Sequence, residues 1–245
     1  MWINIVITLL LLPLAFLNLL APLLILKTQR LPARVRFAPL PEEEFLPARS
    51  ETFNRLDGEL KQMGFVYGGS SVLKNMNTDS YFSLYSLPGD AACAMLVTIN
   101  SPVRNVTYLE FCQVFADDSV LDVNNADVVS AYPAMKQKTM LRYPAVNDPA
   151  ALFDLFGKIR KRMAQQLPVK EWDPANGIAV VEDALARESD ELVRLGYCRD
   201  SLDDKGQRAL TLKGAYLMTW KNVFPGKQVQ DGLDLRRARR ILRQA

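Results

Sequence analysis

Residues 106–115 read VTYLEFCQVF, and this stretch indicates where the centre of the fold lies. One alternating set of its side chains contains Leu109, Phe111, Gln113 and Phe115, and the opposite set is nearly as apolar. A strand that is apolar on both sides is typical of the middle of a sheet whose two faces are both covered. We therefore expect residues 106–115 to form a central strand.

Similar short runs precede and follow this stretch, separated by turn-forming residues. Further strands are predicted over residues 65–74, 81–87, 93–100, 120–123 and 139–142. No helical pattern lies between them, which favours an antiparallel meander. Apolar spacing predicts one helix over 48–63, and Asp148 as N-cap with Pro149 at N1 predicts a second that ends before Pro168. The sequence thus predicts an α+β domain over residues 48–167.

Residues 168–245 are predicted to form a helical module with a β-hairpin and a basic terminal helix over about 228–244. The hairpin carries LGY at 195–197, an acidic turn, and LTLKG at 210–214. These residues resemble the wing of winged-helix transcription regulators, and the resemblance implies contact with DNA. The preceding helix carries Glu182, Asp183, Glu188, Asp190 and Glu191 against Arg187 and Arg194, and an acidic helix is poorly suited to phosphates. Nucleic-acid binding is therefore only the second hypothesis.

Trp2 to Leu26 is a run of 25 residues without a charged side chain. A helix of this length reaches roughly 37 Å, which exceeds the ~30 Å hydrocarbon core of a bilayer. The alternative is a cleaved secretory signal, but the run has no basic residues before it and no small-residue cleavage site after it. We expect residues 1–26 to be a single transmembrane anchor.

The charges after the anchor predict its orientation. Lys27, Arg30, Arg34 and Arg36 follow it with no acidic residue among them, so the positive-inside rule places the N-terminus outside and the soluble part in the cytoplasm. The expected location is the inner membrane. Residues 27–47, with four prolines, are interpreted as a juxtamembrane spacer whose basic half contacts anionic headgroups.

The terminal helix is a second candidate for lipid contact. Its basic side chains are Arg236, Arg237, Arg239, Arg240 and Arg243. A basic amphipathic helix on a tethered protein can lie on anionic lipid, or it can dock on its own domain through its apolar stripe. Leu217, Met218, Trp220 and Phe224 offer a further interfacial patch, although packing of these side chains in a core is the interpretation we favour.

The composition excludes several kinds of chemistry. The chain has no histidine and only three cysteines, so it has no catalytic Ser-His-Asp triad and no His-ligated zinc site. Glu110, in an apolar strand, is a possible general acid or a partner in a salt bridge. The oxygens of Asp122, Asn124, Asn125 and Asp127 have a spacing loosely like that of a calcium loop, but an Asx-rich turn explains it more simply.

No catalytic residue, cofactor or metal site is predicted from these patterns. The net charge of +3 is too small to point to nucleic acid. The sequence therefore predicts a membrane-anchored, non-enzymatic protein that binds an unknown protein or small molecule at the inner face of the membrane. The second hypothesis is a tethered regulator that binds nucleic acid through residues 168–245.

Overall fold

The computed structural model describes residues 12–45, 49–74, 79–101, 104–171 and 176–244. They form two compact units, each built from several chain segments. The sheet unit comprises Arg36–Asp127, Ala134–Ala184 and Asp234–Ala245, and the hairpin unit comprises Met1–Val35, Val128–Pro133 and Leu185–Leu233. These units divide the chain differently from the predicted boundaries at residues 47 and 167.

The described strands are β1 (Arg30–Pro32), β2 (Ala38–Leu40), β3 (Val66–Lys74), β4 (Asp79–Ser86), β5 (Cys93–Asn100), β6 (Asn105–Val114), β7 (Val120–Asn124), β8 (Lys138–Arg142), β9 (Cys198–Leu202) and β10 (Gln207–Leu210). The first described helix contains a π-helical turn, Phe16–Leu20, followed by α1 (Ala21–Thr28). The other helices are α2 (Glu42–Phe45), α3 (Glu51–Gln62), α4 (Pro149–Ala164), α5 (Gly177–Arg194), α6 (Leu212–Asn222) and α7 (Gly226–Gln244).

The sheet unit contains one seven-stranded mixed sheet in the order β2-β3-β4-β5-β6-β7-β8. Pairing is antiparallel from β2 to β7, which confirms the prediction for β3 to β7, whereas β2 lies in the predicted spacer. The meander prediction is wrong for the last strand, since β8 runs parallel to β7. Residues 125–137 connect the two strands, and parallel neighbours require a crossover connection of a dozen or more residues.

The two predicted helices cover one face of the sheet. Ser50 caps α3 by accepting a hydrogen bond from the Phe53 amide at 3.1 Å, and Asp148 caps α4 in the same way from Ala150 at 3.0 Å. The buried side chains of the two helices pack with those of the sheet in one core: Phe53, Leu56, Leu60, Leu152, Phe156 and Ile159 from the helices, and Leu96, Leu109, Phe111, Leu121, Val123 and Leu141 from the strands. Burial of each contributes roughly 1.5–3 kcal/mol.

The strand β6 is buried on both faces, as the sequence predicts. Leu109 and Phe111 lie in the core between sheet and helices, whereas Glu110 and Val114 on the opposite face are 9% and 8% exposed. Four strands lie on one side of β6 and two on the other, and its direct neighbours are β5, with Cys93 opposite Cys112, and β7, with Glu110 opposite Asn124. The structure is therefore α+β, with a central sheet flanked by helices.

The last turns of α7 belong to the same core. Ala238 is 1% exposed within it, and Ile241 and Leu242 pack against it. The Tyr143 hydroxyl donates a hydrogen bond of 3.0 Å to the Ala238 carbonyl. The apolar stripe of the terminal helix is thus used for docking on the sheet unit.

The hairpin unit contains a three-stranded antiparallel sheet in the order β1-β10-β9. The predicted hairpin forms from β9 and β10, and β1 adds to β10 with Leu31 opposite Arg208. Residues 27–47 therefore are not only a spacer, because they supply β1 to this sheet and β2 to the seven-stranded sheet.

Within the part of the chain that the structure describes, no helix combines the length and the apolar character needed to cross a membrane. The predicted transmembrane anchor covers residues 1–26, of which 1–11 lie outside the described residues. The transmembrane helix therefore has no structural support and stays a prediction.

The motif LTLKG has a packing role where α6 begins. Thr211 caps this helix by accepting from the Gly214 amide at 3.0 Å, and its hydroxyl donates to the Gly196 carbonyl at 2.6 Å. A Cβ atom at Gly214 would lie 2.1 Å from the carbonyl oxygen of Tyr197. Only glycine fits this close approach of α6 to the start of the hairpin.

We expect Gly214→Ala to lower the free energy of unfolding by about 2–3 kcal/mol, because overpacking against backbone has no inexpensive relief. Urea unfolding of the full chain in mild detergent, followed by circular dichroism, measures this. Gly232→Ala is the matched control, since nothing lies within 4 Å of that position and alanine is the better helix former. Equal stability of the two variants would contradict the packing role.

Candidate functional site

The N-terminal helix, residues 12–28, lies against α6 in the hairpin unit. The Tyr216 hydroxyl donates a hydrogen bond of 2.9 Å to the Leu19 carbonyl. The Asn18 side-chain amide donates to the Phe224 carbonyl at 3.0 Å. Polar groups of both segments therefore hold them together, and Asn18, one of few polar residues in the predicted anchor, has a defined structural role.

Large apolar side chains on both segments are exposed. On the N-terminal helix and at the C-terminal end of α6, those at least 40% exposed are Leu12, Phe16, Leu17, Leu19, Leu20, Leu23, Leu24, Trp220 and Phe224, and we call this set the apolar surface. Soluble monomeric proteins rarely expose so many large apolar side chains together, and such surfaces mark contact with another protein or with a membrane.

The helix α6 is buried through its small residues. Its buried positions are Gly214, Ala215 and Thr219. Within this helix Leu217 is 37% exposed and Trp220 is 41% exposed, and just after it Phe224 is 58% exposed. The favoured interpretation as core residues is therefore wrong for Leu217, Trp220 and Phe224, whereas Met218, the fourth side chain of that set, is half-buried. Small residues where segments meet, with large apolar side chains facing outward, are typical of proteins surrounded by lipid.

Two of the predicted lipid-contacting arginines, Arg34 and Arg36, form ion pairs within their own units, and their contact with lipid stays a prediction. In the hairpin unit, the Arg34 guanidinium donates two hydrogen bonds to Asp190, at 3.1 and 3.2 Å, and Arg208 donates to Asp190 at 2.8 Å. In the sheet unit, Arg36 pairs with Glu182 at 2.6 Å. The acidic residues that make α5 a poor partner for phosphates are thus partly neutralised within each unit.

The two remaining basic residues after the predicted anchor differ from this pattern. Arg30 lies in β1 and its guanidinium donates to the carbonyl groups of Leu26 and Gln29, at 3.4 and 2.9 Å. Lys27 lies in the last turn of α1. Their contact with lipid headgroups stays a prediction.

The basic residues of α7 in the sheet unit point away from its core. Four of them are exposed and, together with Gln244, line a concavity of about 390 Å³: Arg236, Arg239, Arg240 and Arg243. We call these four arginines the arginine face. Arg237 is half-buried instead. Of the two predicted arrangements, docking through the apolar stripe is the one observed, and it leaves the arginine face open to a ligand.

A polar cluster lies on the sheet face opposite α3 and α4. Ligand atoms of Glu110, Cys112 and Asp122 all lie within 4.8 Å of one another. The Lys138 ammonium is 3.8 Å from one Asp122 oxygen, and the Asn124 side-chain amide donates to the other at 3.0 Å. These three side chains have the donor atoms for a divalent cation, but Lys138 already supplies positive charge to Asp122.

The electrostatics of this cluster oppose thiol chemistry. A hydrogen bond with Cys93, burial, and the negative charges of Glu110 and Asp122 raise the pKa of Cys112 well above its usual value. Burial and the Glu110 carboxylate likewise raise the pKa of Tyr108. Since the thiolate is the reactive form of cysteine, the Cys112 thiol is a poor nucleophile at neutral pH.

The calcium-like spacing does not produce a calcium loop. Asp122 and Asn124 lie in β7, where their side chains bond to each other, and the carboxylate of Asp127 pairs with Arg104. The Asn125 side chain accepts from the Leu109 amide at 2.8 Å. The Asn124 side chain also accepts from the Ala126 amide at 3.2 Å, so the end of β7 is the Asx-rich turn that the simpler interpretation predicts.

The signals that sequence reasoning missed are long-range ones. Lys138 and Asp122 are separated by fifteen intervening residues and meet only because β8 lies parallel to β7. The sequence indicates Asp190 only as a charge that repels phosphates, whereas in the structure its carboxylate binds both Arg34 and Arg208.

No family model matches the chain, and no curated protein or solved structure is detectably similar to it.

The ion pairs of Asp190 predict an acid-sensitive stability. Partial burial favours the protonated form of Asp190, but the hydrogen bonds and charges of Arg34 and Arg208 outweigh it and lower its pKa below the usual 3.8. A lowered pKa contributes stability above the unfolded value, and this contribution is lost as the pH falls below about 4. We expect the urea midpoint of the full chain to fall between pH 5 and pH 3, and to fall less in Asp190→Asn.

The control for this experiment is Asp204→Asn. Asp204 is an exposed aspartate in the hairpin turn, and the described structure gives it no ion pair. It should keep the pH response of the unsubstituted protein. An unchanged response in Asp190→Asn would show that its ion pairs do not stabilise the fold.

The ion pair in the sheet cluster gives a second prediction. Asp122 is 2% exposed, so Lys138→Met leaves a buried carboxylate with less compensation and should cost about 2–4 kcal/mol. Urea unfolding measures the loss, and Lys138→Arg, which keeps the charge, should lose less. If the methionine variant were as stable as the unsubstituted protein, Lys138 would not be the cation that stabilises Asp122.

Proposed function

We propose that this protein is a membrane-attached binding module that inserts its apolar surface into the lipid. The single observation that supports this is the inverted arrangement of α6, which buries Gly214, Ala215 and Thr219 and exposes Trp220. Water is a poor environment for such a face, and hydrocarbon is a good one.

The energetics favour lipid as the occupant. Full burial of a large apolar side chain contributes roughly 1.5–3 kcal/mol, so a half-exposed one gains on the order of 1 kcal/mol on entering lipid. The apolar surface has nine such side chains. Their combined transfer exceeds what is needed for stable membrane binding.

The neighbouring residues also fit a membrane. Seven members of the apolar surface belong in sequence to Trp2–Leu26, the uncharged run whose length suits a bilayer. Trp220 is flanked in sequence by Lys221, and Lys227 follows Phe224. Tryptophan and lysine close to an apolar segment are typical of the membrane–water boundary.

The remaining parts of the proposal follow from this attachment. Lys27, Arg30, Arg34 and Arg36 favour a cytoplasmic location for the soluble part under the positive-inside rule. Binding is proposed rather than catalysis, because the carboxylates of the sheet cluster lie beside Lys138 and the Cys112 thiol is disfavoured as a nucleophile. The natural ligand would then be a molecule present at the inner face of the membrane.

Nucleic-acid binding through the hairpin remains the second hypothesis. Its hairpin turn carries Asp203 and Asp204, and α5 before it is acidic, which disfavours approach to phosphates. A titration of the full chain with duplex DNA at two salt concentrations separates the hypotheses, since phosphate contacts weaken strongly with salt.

The proposal predicts that Trp220 contacts acyl chains. We would replace the other tryptophans by Trp2→Phe and Trp172→Phe, reconstitute the full chain in phosphatidylcholine vesicles, and measure fluorescence with acyl chains that carry bromine, a quencher. We expect Trp220 to be quenched by brominated lipid and protected from iodide in the aqueous phase.

The control is the same protein with Trp220→Phe, which should show no residual quenching by brominated lipid. Quenching of Trp220 by iodide but not by brominated lipid would place this side chain in water. Concentration-dependent protection from iodide in detergent, without quenching by lipid, would indicate a second copy of the chain as the occupant. Either result would overturn the proposal.

A further inference from the structure

The direction of the arginine face is fixed by the packing of α7. Ala238 is buried, Ile241 and Leu242 pack against the core, and the Tyr143 hydroxyl bonds to the helix backbone. Residues at i, i+3, i+4 and i+7 share one face of a helix. Arg236, Arg239, Arg240 and Arg243 follow this spacing, so they project together and away from the core.

These arginines differ from many others in the chain. Eight other arginines each pair with an acidic residue of their own unit: Arg34, Arg36, Arg55, Arg104, Arg142, Arg160, Arg194 and Arg208. Within the described residues, the arginine face forms no ion pair with a carboxylate. Its four positive charges border a concavity of about 390 Å³, and no carboxylate of the described residues neutralises them.

The spacing also makes the face electrostatically costly. Its arginines form like-charged pairs at i,i+4 or i,i+3, and such pairs destabilise a helix. These pairs include Arg236 with Arg240, Arg239 with Arg243, and Arg240 with Arg243. An anion in the concavity relieves this repulsion. Guanidinium groups suit phosphate in particular, because their paired donors match two phosphate oxygens.

We propose that the arginine face binds the phosphate groups of anionic phospholipid headgroups. This inference rests on the proposed membrane attachment and deepens it, since it names the class of lipid. Attachment raises the local concentration of headgroups, and each basic side chain near an anionic leaflet contributes about fivefold to binding.

The dimensions and charge of the face favour headgroups over nucleic acid. The rise along the helix from Arg236 to Arg243 is roughly 10 Å, which suits one or two headgroups rather than a long run of phosphates. The chain has a net charge of +3 and an isoelectric point of about 8.7. Domains that bind nucleic acid usually have isoelectric points above about 9.

The experiment uses a reporter beside the face. Gln244→Trp is introduced into the full chain with Trp2→Phe, Trp172→Phe and Trp220→Phe, and circular dichroism verifies the fold. The protein is reconstituted in mixtures of phosphatidylglycerol and phosphatidylcholine, with bromine high on the acyl chains of one lipid and then of the other. Quenching at position 244 then gives the relative affinity of the two lipids.

We expect phosphatidylglycerol to be preferred by at least about fivefold. Arg236→Gln with Arg240→Gln should lower this preference toward equal affinity, by up to about fivefold for each arginine removed, and 0.5 M salt should weaken it. The matched control, Arg55→Gln with Arg104→Gln, changes the net charge equally but removes arginines paired with Glu59 and Asp127. It should keep the preference of the unsubstituted face.

Three results would overturn the inference. These are equal affinity for both lipids, the same preference in both double variants, and no quenching at position 244 while Trp220 is quenched in its own experiment. The last result would leave membrane attachment standing, whereas loss of quenching at both positions would remove attachment as well. A salt-sensitive response of the reporter to duplex DNA but not to phosphatidylglycerol would assign the face to nucleic acid.

Discussion

The burial of β6 on both faces is the constraint from which the sheet unit is organised. One face is apolar and accepts α3, α4 and the last turns of α7 in a single core. The other face carries charged side chains, and burial of a charge is tolerable only when it is compensated. Lys138 compensates Asp122, and it can do so because β8 is brought parallel to β7. The same core fixes α7, and so decides which of its side chains remain outside.

Local signals in the sequence predict the local structure well. The caps Ser50 and Asp148 and the alternation of β3 to β7 depend on residues within a few positions of one another, so they can be recognised without the fold. Pairing between distant segments cannot be recognised in this way. The prolines of residues 27–47 predict an irregular spacer, yet this segment contains the strands β1 and β2. Both are edge strands, where proline is tolerated because one side of the strand needs no partner.

The functional surfaces show the same division between local and distant information. The spacing of Arg236 to Arg243 predicts a basic helical face, and the structure contains it. Periodicity alone does not say whether a face is turned to a core, to water or to lipid. For this reason the sequence does not reveal that Trp220 is exposed and that α6 is buried through its small residues instead. The ion pairs of Arg34 and Arg36 with α5 join residues about 150 positions apart, so no local pattern in the sequence indicates them.

Two surfaces of this protein carry an energetic cost, one through exposed hydrocarbon and the other through repulsion among like charges. The apolar surface exposes hydrocarbon, and the arginine face concentrates positive charge without internal ion pairs. A second copy in a symmetric dimer would cover apolar side chains, but contact between two identical arginine faces would be repulsive. A neutral partner would leave the charge as it is, and a nucleic acid would leave the apolar surface in water. The apolar surface belongs to the hairpin unit and the arginine face to the sheet unit, and under the two proposals hydrocarbon covers the first and lipid phosphate neutralises the second.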